Sequence, residues 1–173
     1  PGNFTAQDGA FYSAGDYSAA GYNMHHGFVL WAAAEHYKWT RDRAYLEAKL
    51  PAILKACDWI INERRATMVE KDGRRAPEYG LAPAGQLEDV EEYQYWYATN
   101  AYYYLGLKTA ADVLGEIGHP EAQRIAREAE AYKRDILASV DEMLTRTPVV
   151  RLLDGTYVPY LPARVYARTH LVE

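Results

Sequence analysis

The sequence predicts an all-α protein built from antiparallel helical hairpins, with one small β-hairpin near the C-terminus. Two long segments, residues 26–39 and 93–117, are apolar on nearly all sides, which is typical of helices buried on most of their circumference. Each is followed, after a short polar break, by a segment whose apolar residues recur with helical spacing on one side only. Residues 149–160 instead alternate around Asp154-Gly155, which predicts a hairpin with a two-residue turn.

The composition is that of a folded chain and argues against several classes of partner. Hydrophobic residues make up 49% of the 173 residues, so the chain has enough apolar surface for a core. The net charge of −5 is unfavourable for contact with nucleic-acid phosphates, and no apolar run approaches the roughly 18 residues of a membrane span. The single cysteine, Cys57, excludes a disulfide framework and a thiolate metal site. We therefore expect no nucleic-acid or membrane partner, no metal and no cofactor, whereas the cellular compartment stays open.

The first predicted helical unit follows a glycine-containing loop over residues 1–24. Its buried helix spans residues 26–39, and Thr40-Arg41-Asp42 forms a short break. About one turn of helix follows over residues 44–49, and Pro51 is then expected to open a second long helix as its first-turn proline. The inward stripe of this amphipathic helix consists of Ile53, Leu54, Cys57, Ile60 and Ile61.

The second predicted unit begins with a polar turn at residues 71–75 and a loop at residues 77–89. Its buried helix runs from about Tyr93 to Ile117. The acidic residues ahead of it are expected to favour the helix start, because they face the positive end of the helix dipole. Gly118 stands where a helix C′ glycine belongs, and a first-turn proline then opens an amphipathic helix over residues 120–145.

The two units form a repeat with an offset of roughly 75–80 residues. Stacked helical hairpins bury their inner helices only against neighbours, and about three or more are needed to close a core. Residues 1–173 are therefore predicted to be a single partial domain, with about two hairpins and the approach to a third, and Pro1-Gly2-Asn3 resembles an internal cut. The uncovered inner helices predict a covering partner, either the rest of the parent chain or a second copy of this chain.

Candidate site residues lie in the long segments at residues 1–25, 69–93 and 146–173, which all lead to the N-terminal ends of inner helices. Carboxylates and aromatic side chains collect there, and together they suit glycosidic cleavage, which needs two carboxylates and rings that stack on a sugar. Several alternatives stay open. Glu88 and Asp89 suit either solvated, helix-capping charges or catalytic groups, and His25 and His26 suit either packing or ligand contact.

Three stretches resemble a known superfamily, the six-hairpin glycosidases with an (α/α)6-toroid fold, and glucoamylase-like and rhamnosidase-like members in particular. The first is GLAPAGQLED at 80–89 followed by YWYATNAYYYLGL at 95–107 and AADVLGEIGHPEAQRIAREAEAYKRDI at 110–136. The second is the hairpin HHGFVLWAAAEHYKWTRDRAYLEAKLPAILKACDWI at 25–60, and the third is LLDGTYVPYLPARVY at 152–166. The resemblance implies a hydrolase of O-glycosidic bonds in an oligo- or polysaccharide, which uses acid/base catalysis, commonly with inversion.

By position, Glu88 and Asp89 match the general-acid region of that superfamily, and the second carboxylate is not placed. A carbohydrate is the expected partner. The alternative function is a non-catalytic helical module that binds a carbohydrate or a protein through a tyrosine-rich face, since the chain has 16 tyrosines and only 3 phenylalanines. The expected substrate-binding residues are Asp16, Tyr22, His25, His26, Gln86, Tyr95, Trp96 and Arg164.

Overall fold

The computed structural model describes residues 24–87 and 90–166. Within these ranges the protein is mostly helical, which confirms the predicted helical class, but it carries three short antiparallel β-hairpins where only one was predicted. None of the helices in these ranges is both long enough and apolar enough to cross a membrane. The elements are α1 (His25–Thr40), α2 (Arg43–Ala66), β1 (Glu70–Lys71), β2 (Arg74–Arg75), β3 (Gly85–Leu87), β4 (Val90–Gln94), α3 (Tyr97–Glu116), α4 (Ala122–Leu144), β5 (Val149–Arg151) and β6 (Tyr157–Pro159).

The inner helices α1 and α3 pack directly against each other at a pair of glycines. A Cβ atom added to Gly106 would lie 2.6 Å from the carbonyl oxygen of Gly27, and one added to Gly27 would collide with the backbone of Tyr102. The two backbones therefore touch where neither helix carries a side chain. Burial of α1 is less complete than its composition predicts, because Trp39 is 84% exposed and Phe28 is also exposed.

The outer helix α2 corrects the predicted helix start at Pro51. It runs without interruption from Asp42, whose Oδ1 accepts a hydrogen bond from the Tyr45 N–H at 2.9 Å, and Pro51 lies inside it. Leu46 and Ile53 are both buried, so the turns on either side of the proline are held against the core. Proline has no N–H to bond the carbonyl four residues earlier, which is that of Glu47. Glu47 and Pro51 are both exposed, so water can satisfy this carbonyl. Tertiary packing thus outweighs the local preference for a break.

The two short turns between inner and outer helices share a left-handed residue but differ in their hydrogen bonds, since after α1 the Arg41 N–H bonds the Tyr37 carbonyl at 2.7 Å. Arg41 and Gly118 both adopt the left-handed conformation, with φ values of 56° and 72°. After α3, the His119 N–H bonds the Leu114 carbonyl at 2.8 Å and the Gly118 N–H bonds the Gly115 carbonyl at 3.1 Å, which is a Schellman motif. The predicted C′ role of Gly118 is therefore confirmed.

The C-terminal hairpin is confirmed, but its predicted two-residue turn is wrong. Strands β5 and β6 pair Arg151 with Tyr157, and the Gly155 N–H bonds the Leu152 carbonyl at 3.0 Å. The Leu152 N–H also bonds the Thr156 carbonyl at 2.7 Å, so the loop between these two residues has three residues, Leu153, Asp154 and Gly155. Gly155 has a φ of 90°. The true two-residue Asp-Gly turn is Asp72-Gly73 between β1 and β2, where only a polar turn was predicted. These strands have two exposed charged residues each, so no alternating pattern marks them.

A third hairpin, β3–β4, corrects the predicted start of the second inner helix. Gly85 pairs with Gln94 and Leu87 pairs with Val90, so residues 93 and 94 belong to a strand and α3 begins only at Tyr97. The first turn of α3 contains no acidic residue, so the proposed interaction of the acidic run with this helix dipole is wrong. Glu91 and Glu92 of that run lie in strand β4, and Glu88 and Asp89 lie outside the described residues.

Candidate functional site

Two of the three long segments meet at the N-terminal end of α3. The Val165 N–H bonds the Tyr95 carbonyl at 3.0 Å, and the Tyr97 N–H bonds the Ala163 carbonyl at 3.0 Å. Between these bonds Trp96 and Arg164 form an isolated β-bridge. The chain from β6 therefore returns to the entrance of the inner helix. We call the surface formed here by Glu78, Glu92, Tyr95, Arg164 and Tyr166 the end face.

Trp96 supports part of the end face through its contacts with Gly85 and Arg164. It is 8% exposed, and its indole Nε1–H donates a hydrogen bond to the Gly85 carbonyl at 2.9 Å. The Arg164 guanidinium lies over the ring, with Cζ 5.3 Å from the ring centroid, and pairs with the carboxylate of Glu92. The ring is thus covered, and in this arrangement Trp96 positions Arg164 and the β3–β4 hairpin.

A carboxylate and two tyrosines form the other part of the end face. The Tyr166 hydroxyl donates a hydrogen bond to Glu78 Oε2 at 2.6 Å. Burial, and then the hydrogen bond to Glu78, raise the pKa of Tyr166. Burial also raises the pKa of Tyr95, with a further contribution from the charge of Glu78. The Glu78 carboxylate is therefore in contact with the Tyr166 hydroxyl, and both tyrosine hydroxyls stay protonated at neutral pH.

The loop that carries Glu78 is held from below at three consecutive residues. Arg64 Nε donates to the Gly80 carbonyl at 3.3 Å, and Thr67 Oγ1 donates to the Leu81 carbonyl at 2.6 Å. The Ala82 N–H donates to Asn100 Oδ1 at 2.8 Å. Side chains from two helices thus satisfy the backbone of the loop, so its course does not depend on water.

Arg64 is the centre of the polar network beneath this loop. Its side chain is 1% exposed and pairs with Asp135 and, at 3.1 Å, with Glu128, both on α4. The guanidinium Cζ also lies 5.0 Å from the ring centroid of Tyr132. Two carboxylates balance the buried charge, and this makes its burial tolerable. The network ties α2 to α4 directly under the end face.

Asn100 extends the network to the inner helix. Its Oδ1 accepts the hydroxyl of Tyr132 at 2.6 Å, and its Nδ2 donates to the Trp96 carbonyl at 2.6 Å. Neither Arg64 nor Asn100 is predicted from the sequence above, although each leaves a signal there. Arg64 continues the inward stripe of α2 one turn beyond Ile60 and Ile61, and Asn100 is a polar residue in a largely apolar helix.

The structure brings together four of the residues predicted to bind substrate. Tyr95, Trp96 and Arg164 lie at the end face, and Gln86 lies beside them in β3. His26 lies elsewhere: it is buried, and its ring stacks on Trp59 at a centroid distance of 3.7 Å. His25 is the first residue of α1 and is half-buried. The other predicted residues lie outside the described residues: Asp16, Tyr22, Glu88 and Asp89.

The end face offers hydrogen-bonding groups and aromatic rings but no recognisable metal site. In residues 24–87 and 90–166, no cluster of three or more His, Cys, Asp or Glu side chains has the arrangement of a metal site. Carboxylates, a guanidinium and tyrosine hydroxyls suit a ligand rich in hydroxyl groups. The rings of Tyr93 and Tyr166 are exposed beside them, and such rings can stack on the apolar side of a sugar.

Comparison with known proteins found no matching family model, no matching curated protein and no matching solved structure. The chemistry of the end face and the helical repeat are therefore the basis on which a function is assigned.

Proposed function

We propose that this chain is part of a glycoside hydrolase of the (α/α)6-toroid class, and that the end face contributes to its substrate site. The observation that carries the proposal is the meeting of Glu78, Tyr95, Tyr166 and Arg164 at the entrance of an inner helix. Hydrolysis of a glycosidic bond needs carboxylates next to groups that bind sugar hydroxyls. The end face supplies such groups, and hydrogen bonds to Arg64 and Asn100 hold the loop that carries Glu78.

The helical repeat supports the toroid part of the proposal. Two hairpins, α1–α2 and α3–α4, pack through their inner helices and end those helices with equivalent left-handed residues, Arg41 and Gly118. The exposed Phe28 and Trp39 lie on α1, and a further hairpin of the parent chain or a second copy would cover them. In this arrangement the inner helices all begin on the side of the toroid that carries the end face.

The proposed chemistry uses a carboxylic acid from the 88–89 pair to protonate the leaving oxygen, while a second carboxylate activates water. We propose Glu88 or Asp89 as the acid, with inversion at the anomeric carbon. Arg164 and the tyrosine hydroxyls orient the sugar through hydrogen bonds.

The test is hydrolysis of aryl glycosides and unmodified oligosaccharides by the intact enzyme that contains this chain, with reducing ends as the readout. The variants are Glu88→Gln and Asp89→Asn, and the control is Glu47→Gln, whose side chain pairs with Arg43 on the exposed surface of α2. Loss of the acid should lower turnover on oligosaccharides about a hundredfold or more, with a smaller loss on activated aryl glycosides that need no protonation. Absence of hydrolysis by the wild type, or near-full activity of both variants, contradicts the proposal.

The alternative is a non-catalytic module that binds carbohydrate. Its specific support is the pairing of Glu92 with Arg164, since a carboxylate balanced in this way suits recognition better than proton transfer. Calorimetric binding of an oligosaccharide that the wild type does not hydrolyse favours this alternative over the hydrolase.

A further inference from the structure

We propose that Glu78 is the second carboxylate of the site, which takes a proton from the attacking water, and that Tyr166 is the residue that positions it. This inference rests on the hydrolase function proposed above. It places the carboxylate that the sequence alone did not locate.

Glu78 suits this role better than Glu92, the other end-face carboxylate. Glu92 is exposed, and its charge is already balanced by the guanidinium of Arg164. Glu78 is half-buried, and its hydrogen-bond partner in the described structure is a neutral hydroxyl, that of Tyr166. Glu78 can therefore contact a water molecule without first leaving a cation that pairs with it, whereas Glu92 would have to leave Arg164.

The backbone around Glu78 is fixed, as the proposed role requires. The Glu78 carbonyl accepts the Leu81 N–H at 3.0 Å, and the Tyr79 N–H bonds the Ala76 carbonyl at 2.9 Å. The next residues are held by the buried side chains of Arg64 and Asn100. A catalytic group contributes most when packing and hydrogen bonds keep it in one position before the substrate arrives.

Tyr166 has an unusual conformation for a positioning residue of this size. Its φ is 58°, a left-handed conformation that bulky residues rarely adopt. The neighbouring bond from the Val165 N–H to the Tyr95 carbonyl and the hydroxyl bond to Glu78 hold it there. Backbone strain of this kind persists where the surrounding contacts determine the conformation, and it is concentrated at functional sites. Because its hydroxyl stays protonated, Tyr166 can donate to Glu78 throughout the neutral pH range.

The proposed hydrolysis needs water as its only co-reactant. The water oxygen forms a bond with the anomeric carbon while its proton passes to Glu78. The glycosidic C–O bond breaks, its electron pair leaves with the oxygen, and that oxygen takes a proton from the acid of the 88–89 pair. Exchange with solvent then removes the proton from Glu78 and restores the one on the acid.

The first test compares Glu78→Gln with the acid variants on two substrates: an oligosaccharide that the wild type cleaves and the 2,4-dinitrophenyl glycoside of the same sugar. Water must be activated whatever the leaving group, so Glu78→Gln should lower kcat about a hundredfold or more on both. Glu88→Gln or Asp89→Asn should lose activity mainly on the oligosaccharide. Glu47→Gln, on the exposed surface of α2, is the control and should stay within about threefold of the wild type.

The second test measures Tyr166→Phe, with Tyr157→Phe on the exposed side of β6 as its control. Loss of the positioning hydroxyl should lower kcat about tenfold and leave KM within about twofold, whereas Tyr157→Phe should change neither. Circular dichroism checks the fold of each variant. Glu78→Gln retains an oxygen that can accept the Tyr166 hydroxyl, so it is expected to fold.

The outcomes separate this inference from the function beneath it. If the wild type hydrolyses no glycoside, the hydrolase function fails and Glu78 loses its role with it. If the wild type is active and Glu78→Gln stays within about threefold of it on both substrates, only the assignment of Glu78 is overturned. A loss confined to the oligosaccharide also overturns it, because that pattern identifies an acid rather than a base.

Discussion

The two ends of the helical bundle hold their polar contacts in opposite ways. At the short-turn end, near residues 40–43 and 117–121, the ion pairs lie in solvent: the side chains of Arg41 and Glu116 are 62% and 41% exposed. At the long-loop end, Arg64 is 1% exposed and its partner Asp135 is 14% exposed. Exposed pairs contribute little to stability, whereas breaking a buried pair leaves an uncompensated charge in the interior. The long-loop end therefore has one strongly preferred arrangement, as a site with fixed geometry requires.

The largest expected loss of stability comes from a variant that breaks the buried ion pairs at the long-loop end. Arg64→Met removes the guanidinium from two part-buried carboxylates and from the Gly80 carbonyl, so the free energy of unfolding should fall by about 3–5 kcal/mol. Urea unfolding followed by tryptophan fluorescence measures it. The control is Arg65→Met, which removes an exposed side chain with a single contact to Glu128 and should change stability far less. Equal effects of the two variants contradict the comparison.

A smaller effect is expected at the glycine contact between the inner helices. Gly27→Ala places a methyl group against the backbone of Tyr102, and the resulting overpacking should lower the free energy of unfolding by about 1–3 kcal/mol. Gly115 is the matched position, because it is helical and a Cβ there meets no atom within 4 Å. Gly115→Ala should raise stability by about 0.5–1 kcal/mol through the better helix propensity of alanine. Thermal unfolding by circular dichroism compares the two.

Two buried tyrosines, Tyr132 and Tyr103, allow a bonded and an unbonded hydroxyl to be compared in the interior. The Tyr132 hydroxyl donates to Asn100, so Tyr132→Phe should lower the free energy of unfolding by about 1 kcal/mol. The Tyr103 hydroxyl is buried and has no hydrogen-bond partner among the described residues. Tyr103→Phe should therefore be neutral or slightly stabilising, since it removes an unpaired polar group. The idea is wrong if Tyr103→Phe destabilises as much as Tyr132→Phe in parallel urea titrations.

The smallest effect is expected at the exposed end. Arg41→Met removes the ion pair with Glu116, but both side chains are largely in water, so the urea midpoint should hardly move. Repeating the measurement at high salt should reduce even that difference, because salt screens exposed charges. A shift comparable with that of Arg64→Met contradicts the contrast between the two ends.

The sequence by itself determined the features that depend on local physics. Helical periodicity located four helical segments, and the steric preference for glycine in the left-handed conformation placed the end of α3 at Gly118. The hairpin around Asp154-Gly155 followed from turn chemistry, and the inward stripe of α2 followed from residue spacing. It also placed Tyr95, Trp96 and Arg164 at one end of the bundle, where the structure has them side by side, and their role in binding substrate stays a prediction.

Only the tertiary structure decided the features that depend on distant contacts. Pairing with β3 draws residues 93 and 94 into a strand, and burial of Leu46 and Ile53 carries α2 through Pro51. The contact between Glu78 and Tyr166 joins residues 88 positions apart, which no local period reveals. Neighbours along the chain set backbone preference, but a buried charge or a carboxylate acquires its role from groups that folding brings to it.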